Sequence, residues 1–463
     1  MKKRVRLLAL TFLMSACGFH FSACDKSTKG VVYALSNDST YAEVIDYNGK
    51  DSDVIIASEY EGKPVTRIGE QAFNNCYTLK NVEIPNTVTS IGDDAFSWSN
   101  LTKIVIPDSV TSIGNTAFGW CRSLTEIVIP DSVTSIGFET FYDCRNLQYN
   151  LDSDLKYIGN SNNPYLYLLG TTTTDISSAT IHRNCRFIGK GAFSNCRLLT
   201  AVAIPNEVSL LDSYVFSSCT GLTNITLPNA LTGIGTSAFS GCSRLTSVVI
   251  PDSVTIIEKS AFHSCPSLST VTIGNSVTSI GEQAFKNCTA LTTFVIPDTV
   301  TSLGAQMFYN CTALNSVTMS NSLTSIPYGL FTKCKSLTSI TLPDTIISIG
   351  EHAFEECETL TTVTMGEDVT DIANYAFYGC TSLITINLPD NLTNIGSSAF
   401  YHCWSLPSIV IPKSVSNIGI STFFGCFSLT IYCEVESEPL IWEYAWNESN
   451  RPVVWGYTKK QGN

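Results

Sequence analysis

Charge is what this 463-residue chain has least of: Asp, Glu, Lys and Arg make up only 14 % of it, against about 25 % in an ordinary globular protein. The shortage is greatest on the basic side. Twenty-seven Lys and Arg stand against 40 Asp and Glu, a formal charge of −13, which excludes a nucleic-acid backbone as partner because phosphates must be met by cations. No apolar run reaches the roughly 20 residues that a membrane-spanning helix needs. No segment has the length or 3.6-residue periodicity of an amphipathic helix. Catalytic signatures are missing too. His20, His182, His263, His352 and His402 are scattered, with no HExxH, GxSxG or phosphate-binding loop around any of them, and no cofactor or metal site is implied.

What is present is apolar and hydroxylated. Apolar residues reach 44 %, Ser and Thr together roughly 23 %, and there are 18 Cys. The first residues form an export segment: Lys2, Lys3, Arg4 and Arg6, then the apolar run Leu7–Met14, then small-residue sites at Ser15-Ala16-Cys17 and Ser22-Ala23-Cys24. Both sites resemble bacterial lipoprotein signals, in which the Cys becomes the lipidated mature N-terminus. Cys24 is the better candidate, because the polar tether Asp25–Gly30 follows it; Cys17 is the alternative, and an unlipidated signal peptide the third reading. Removing residues 1–23 takes away four basic and no acidic groups, leaving 23 against 40, or −17.

One sentence of sequence is written over and over. Phe recurs at 73, 96, 118 and 141, then from 193 to 423 at every twenty-third residue, with one step of 22 and one of 52. Around Phe262 the unit reads Leu245, Val248, Ile250, Pro251, Val254, Ile257, Phe262, Cys265, Leu268. The alternation at Val248 and Ile250 is strand-like, and a second short extended piece follows the Pro-Asp-Ser turn. Eight apolar side chains contribute about 12–24 kcal/mol on burial, less than the roughly 35 kcal/mol needed to order 23 residues. Such a coil must therefore stack on its neighbours, which predicts a solenoid.

The Cys count follows from the repeat. Fourteen lie three residues after the repeat Phe: Cys76, Cys121, Cys144, Cys196, Cys219, Cys242, Cys265, Cys288, Cys311, Cys334, Cys357, Cys380, Cys403 and Cys426. Parallel ladder side chains stand ~4.8 Å apart, farther than the ~3.8 Å between Cβ atoms that a disulfide prefers, so these are expected to be reduced, buried thiols bonded weakly to the turn backbone. A single file cannot supply a tetrahedral four-ligand metal cluster. Cys185 replaces an inward Val and is expected in the core. From Pro251 to Pro389 a two-coil period also appears, with Pro251-Asp252, Gly274-Asn275, Pro297-Asp298, Ser320-Asn321 and so on; Asn between Asp halves the like-charge contacts along the stack, and duplication of a coil pair is the simplest cause.

The unit Leu-x-x-Val-x-Ile-Pro-Asp-Ser-Val-Thr-Ser-Ile-Gly-x-x-Ala-Phe-x-x-Cys, as at 101–121 and 124–144, resembles the BspA-like leucine-rich repeats of bacterial surface antigens. The resemblance covers roughly residues 60–430. It implies a β-rich leucine-rich-repeat solenoid, a right-handed superhelix with parallel strand ladders, short turns and little α-helix. It also implies a cell-surface protein, in some members an adhesin for host matrix proteins or other bacteria. The expected organisation is a signal peptide at 1–23, a tether and capping hairpins at 24–67, about 16 coils at 68–427, and a C-terminal cap at 428–463 containing Trp442, Trp446 and Trp455. Residues 145–190 form an atypical long coil, expected to carry a hairpin that protrudes from the rod.

Two surfaces qualify as binding candidates. The outward residue between the inward Val and Ile gives a stripe, Val249, Thr272, Val295, Thr318, Thr341 and Thr364, flat and uncharged, able to accept another protein's surface or a glycan; β-propensity alone also favours Val and Thr there. Trp98 and Trp120 share one position in adjacent coils and form a candidate aromatic patch, or else a shield for the coil edge where the repeat is one residue short. Glu351, Glu355, Glu356 and Glu358 cluster at one turn, a solvated acidic face rather than a catalytic pair. The expected partners are proteins or glycans on other cells or in host matrix, with membrane contact only through an N-terminal lipid. The expected location is the cell surface or outer membrane, with release as the alternative. Rival roles are a stalk with no ligand of its own and a glycan-binding module.

Overall fold

The computed structural model describes residues 27–458; the export segment with Cys17 and Cys24 lies outside them. Most coils contribute a three-residue strand and a two-residue strand, which pair in parallel with their counterparts in neighbouring coils in several runs rather than one unbroken ladder. Ser247–Val249 lies beside Thr270–Thr272 and Ile256–Ile257 beside Ser279–Ile280, 23 residues apart at every position. The chain is a helix-free β-solenoid among the described residues. The step of 22 does not break the ladder. Ser90–Ile91 still pairs with Ser112–Ile113, because the missing residue falls in the turn between Phe96 and Leu101.

The interior is a column of phenyl rings, all but one fully buried from Phe73 to Phe423. Phe239, Phe262 and Phe285 follow one another at 5.0 and 5.3 Å with planes within 2°, a repeat imposed by the strand spacing. Beside them runs the thiol file. The Cys265 Sγ donates to the Phe239 carbonyl at 3.1 Å, Cys288 to Phe262 at 3.2 Å and Cys311 to Phe285 at 3.2 Å, so each thiol ties its coil to the one before. All 16 Cys among the described residues are free. Hydroxyls do the same at the edges. Thr232, Thr255, Thr278 and Thr301 each donate to the carbonyl 23 residues earlier, as do Thr246 and Ser269 on the other side of the coil. A large share of the Ser and Thr is thereby consumed by the backbone.

Two residues in almost every coil hold a left-handed backbone, two before and two after the Phe: Ser260 and Ser264 at φ 56° and 55°, Gln283 and Asn287 at 58° and 62°. The Phe turn is therefore a pair of reversals rather than a turn of helix. The Pro/non-Pro alternation has a steric partner as well: a Cβ on Gly274 would stand 2.3 Å from the Pro251 carbonyl oxygen, and one on Gly366 2.5 Å from Asp344 Cα. Asn275 and Asn321 donate their backbone N–H to Asp252 and Asp298, both at 2.8 Å.

The ends and the long coil differ from expectation. Val31–Leu35 and Ala42–Tyr47 form an antiparallel hairpin, yet Ala42–Tyr47 also pairs in parallel with Lys63–Ile68, and Asp53–Ile55 with Asn81–Glu83. The parallel stack thus begins well before residue 68. At the other end Thr430–Cys433 and Val453–Val454 add two further parallel rungs. Trp442 and Trp446 are buried, the Trp446 ring standing edge-on to Phe423 at 6.1 Å, so indoles close the phenyl column. Cys433 is part of this core.

The hairpin of the long coil does not protrude. Asn150–Asp152 and Tyr167–Thr171 each run antiparallel to Leu155–Ile158 between them, and Tyr167–Thr171 then pairs in parallel with Phe187–Ile188. Leu155, Tyr157, Tyr167 and Leu168 are buried: a segment this apolar fills the stack instead of leaving it. The Tyr167 ring takes a place in the aromatic column edge-on to Phe141 at 5.0 Å. The sheet that ends at Ser135–Ile136 and the one that begins at Asn150 do not join, and the buried residues divide into two clusters here. This is a seam in the stack.

Candidate functional site

The strand face presents its outward residues in register. Val249 lies beside Thr272, Val295 beside Thr318 and Thr341 beside Thr364. All six are exposed, Val249 and Val295 to 64 and 60 %. A second column, Ser247, Thr270, Thr293, Ser316 and Ser339, is exposed two residues earlier on the same strands. These hydroxyls contrast with the edge hydroxyls: none of Thr272, Thr318, Thr341 and Thr364 bonds its side chain to any described residue, whereas Thr246 and Ser269 are spent on carbonyls. Charge is confined to the other half of this face, where Lys103 pairs with Glu126 at 2.9 Å. From Ser247 to Thr364 the face is flat, uncharged and supplied with free donors and acceptors.

Along the Phe-turn edge the two indoles meet. Trp98 and Trp120 stack at 5.0 Å with planes 9° apart, Tyr142 stands edge-on to Trp120 at 5.1 Å, and the Arg122 guanidinium lies 5.7 Å from the Trp98 ring. Trp98 is 39 % exposed, but stacking spends one ring face of each indole on its neighbour. The stack favours the role of shielding the short coil.

The file continues across the seam. The Lys190 Nζ sits 3.4 Å from the Tyr142 ring and 5.4 Å from that of Tyr214, and pairs with Glu139 at 2.9 Å. Beneath lies Asp212, buried, with Oδ2 accepting the Glu139 N–H at 2.7 Å and Oδ1 the Ser213 N–H. Burial pushes its carboxyl up to about 7. Sequence periodicity missed this junction. Its signal was compositional: residues 145–197 hold Arg145, Lys156, Arg183, Arg186, Lys190 and Arg197 against Asp152, Asp154 and Asp175, a basic island in an acidic chain.

The remaining candidates are spent locally. Glu355 bonds His352 Nδ1 at 2.9 Å and Glu358 bonds Lys335 at 2.6 Å, so the acidic turn does not converge on a substrate position. The file of Cys196, Cys219, Cys242, Cys265, Cys288, Cys311, Cys334, Cys357, Cys380 and Cys403 is buried, and burial pushes the Cys242 and Cys288 thiols up to about 12. No group of three or more His, Cys, Asp or Glu among the described residues is placed to hold a metal, and no described helix is long and apolar enough to cross a membrane.

A family model agrees with this architecture. The family model for the BspA type leucine rich repeat region matches at residues 57–164, 171–292, 256–375 and 324–446. Among solved structures, a leucine-rich repeat protein from Bacteroides ovatus is 27 % identical, with 94 % of this chain and 100 % of that one covered and a TM-score of 0.48. A leucine rich cell surface protein from Faecalibacterium prausnitzii is 25 % identical over 95 and 100 % of the two chains, TM-score 0.31. A leucine-rich repeat protein from Eubacterium ventriosum is 23 % identical over 90 and 96 %, TM-score 0.35. No curated protein matches the sequence. With the family model spanning most of its length and coils that obey the same Leu, Phe and Cys spacing, this chain belongs to the BspA type leucine-rich repeat family.

Proposed function

We propose that the chain is an exported, surface-held repeat protein that binds other proteins through its strand face, as an adhesin does, and carries out no catalysis. The observation that carries this reading is the uncharged run of in-register, outward side chains from Val249 to Thr364. Flat, rigid surfaces of this kind lose little entropy on docking, and six coils at ~4.8 Å per step offer a contact more than 20 Å long, enough for multivalent engagement. Family membership supports a protein-binding repeat displayed at a surface. Export and anchoring rest on the N-terminal sequence, with Cys24 as the lipidated residue; metabolic labelling with a fatty acid that disappears in Cys24→Ser supports it, and label retained in that variant transfers the role to Cys17.

The binding test immobilises the purified mature chain and probes it with matrix proteins and partner cells. Saturable binding that is lost when Thr272, Thr318 and Thr341 are changed to Lys is the expected result. Absence of saturable binding across the panel favours a stalk without a ligand.

A further inference from the structure

The seam between the two parts of the stack opens a cleft of about 380 Å³ on the Phe-turn edge, and Tyr142, Arg145, Tyr149, Lys156, Thr171 and Lys190 contribute to its wall. It arises because the antiparallel strands Asn150–Asp152 and Leu155–Ile158 replace a regular coil, leaving the turn after Phe141 without a matching turn above it. The electrostatics of this wall oppose those of the molecule. Arg145, Lys156 and Lys190 face one carboxylate, Asp143, in a chain whose formal charge is −13. Asp143 is already engaged by Arg122 and Arg145, and Lys190 by Glu139. Lys156 makes no ion pair with any described residue. It is half-buried, with Nζ 5.3 Å from the centre of the Tyr149 ring. Tyr149 is 47 % exposed and stacks with no other described ring.

A lysine side chain without a counter-ion attracts a carboxylate, and a partly exposed phenol ring attracts the C–H face of a sugar while its hydroxyl and that of Thr171 serve the sugar's own hydroxyls. The volume is at the small end of the roughly 300–1,000 Å³ of ligand sites. It suits one or two sugar units and is too narrow for the roughly 800 Å² per partner of a protein interface. We propose that this cleft binds the carboxylate-bearing unit of an acidic saccharide, Lys156 pairing with the carboxylate and Tyr149 stacking on the ring. The site is separate from the strand face, and each can fail without the other.

Isothermal titration of the full mature chain with a galacturonate trimer and a sialic acid trimer tests it, with a neutral galactose trimer and a hexaglutamate peptide as comparisons. At least one acidic saccharide is expected to bind saturably and about tenfold or more tighter than both comparisons. Lys156→Gln and Tyr149→Ala are each expected to weaken it by about tenfold, Lys156→Arg to retain it, and Lys413→Gln, an exposed lysine outside the cleft and outside the strand face, to leave it unchanged. Thermal melting checks that the variants fold; Tyr149 is surface-exposed, so its truncation spares the core. No saturable binding of either acidic trimer, equal binding of the neutral trimer, tighter binding of the peptide, or affinity unaltered in both the Lys156→Gln and Tyr149→Ala variants overturns the assignment.

Discussion

From Cys219 to Cys403 each thiol of the file meets the Phe carbonyl of the coil before it, at 3.1 Å for Cys219 and 3.3 Å for Cys403, and burial pushes these thiols up and holds them in the protonated form. Reactivity belongs to the thiolate. Iodoacetamide at pH 8 is therefore expected to leave Cys219 to Cys403 unmodified in the folded chain and to modify them all after denaturation. Mass spectrometry reads this, and native-state labelling or ladder disulfides contradict it. Protonation of Asp212 couples to folding. Its folded carboxyl is raised to about 7 from an ordinary 3.8, so between those values the folded state holds a proton the unfolded state has lost. The stability associated with this group is full below about pH 4, falls as the pH rises, and is lost above about pH 7. Asp212→Asn removes that slope. Urea denaturation at pH 4, 5.5 and 7.5 checks it, and an identical pH dependence in the variant contradicts it.

At the scale of the coil, the left-handed pair flanking each Phe carries a cost that Gly alone escapes. Ser264→Gly is expected to be neutral or mildly stabilising, and Ser264→Val to lose about 1–2 kcal/mol, read as midpoint shifts in chemical denaturation. Phe285→Ala, which empties a place in the column, is expected to cost about 3–5 kcal/mol. Much of the coil was legible in the sequence. Period two at Val248 and Ile250 gave the long strand, Phe262 and Cys265 gave the two interior files, and the outward stripe followed from the alternation. What escaped was whatever does not repeat at 23 residues. The pairing of Ala42–Tyr47 with Lys63–Ile68 extends the stack into a segment without the Phe and Cys marks. The hairpin at 145–190 looked like an insertion to be expelled, but Tyr157, Tyr167 and Leu168 give it a core-forming side. The left-handed residues were invisible because Ser, Gln, Asn, Trp and His all occupy them, while the Gly that marks such positions elsewhere is used in only some coils. The role of Thr and Ser in binding carbonyls of the preceding coil was hidden for a similar reason: surface hydroxyls and ladder hydroxyls look alike in a sequence.

At the scale of the whole molecule, the coils make one elongated stack closed by the hairpin of Val31–Leu35 with Ala42–Tyr47 and by the indoles of Trp442 and Trp446. Roughly 17 rungs at ~4.8 Å give a length on the order of 80 Å. Nearest-neighbour contacts dominate, and the seam at 137–170 separates two buried clusters, so the chain has a place to unfold in two steps. The strand face from Ser247 to Thr364 is the proposed binding surface, and it can be probed directly in a Cys76→Ser, Cys144→Ser background, because the other described thiols are buried. Thr318→Cys places an exposed thiol in the middle of the stripe, and Glu358→Cys places one on the turn edge. Each is labelled with a maleimide photocrosslinker and irradiated in the presence of the protein partner found by the panel. Adducts from position 318 and none from position 358 are the predicted result; adducts from 358 with none from 318 contradict the assignment of the strand face as the binding surface.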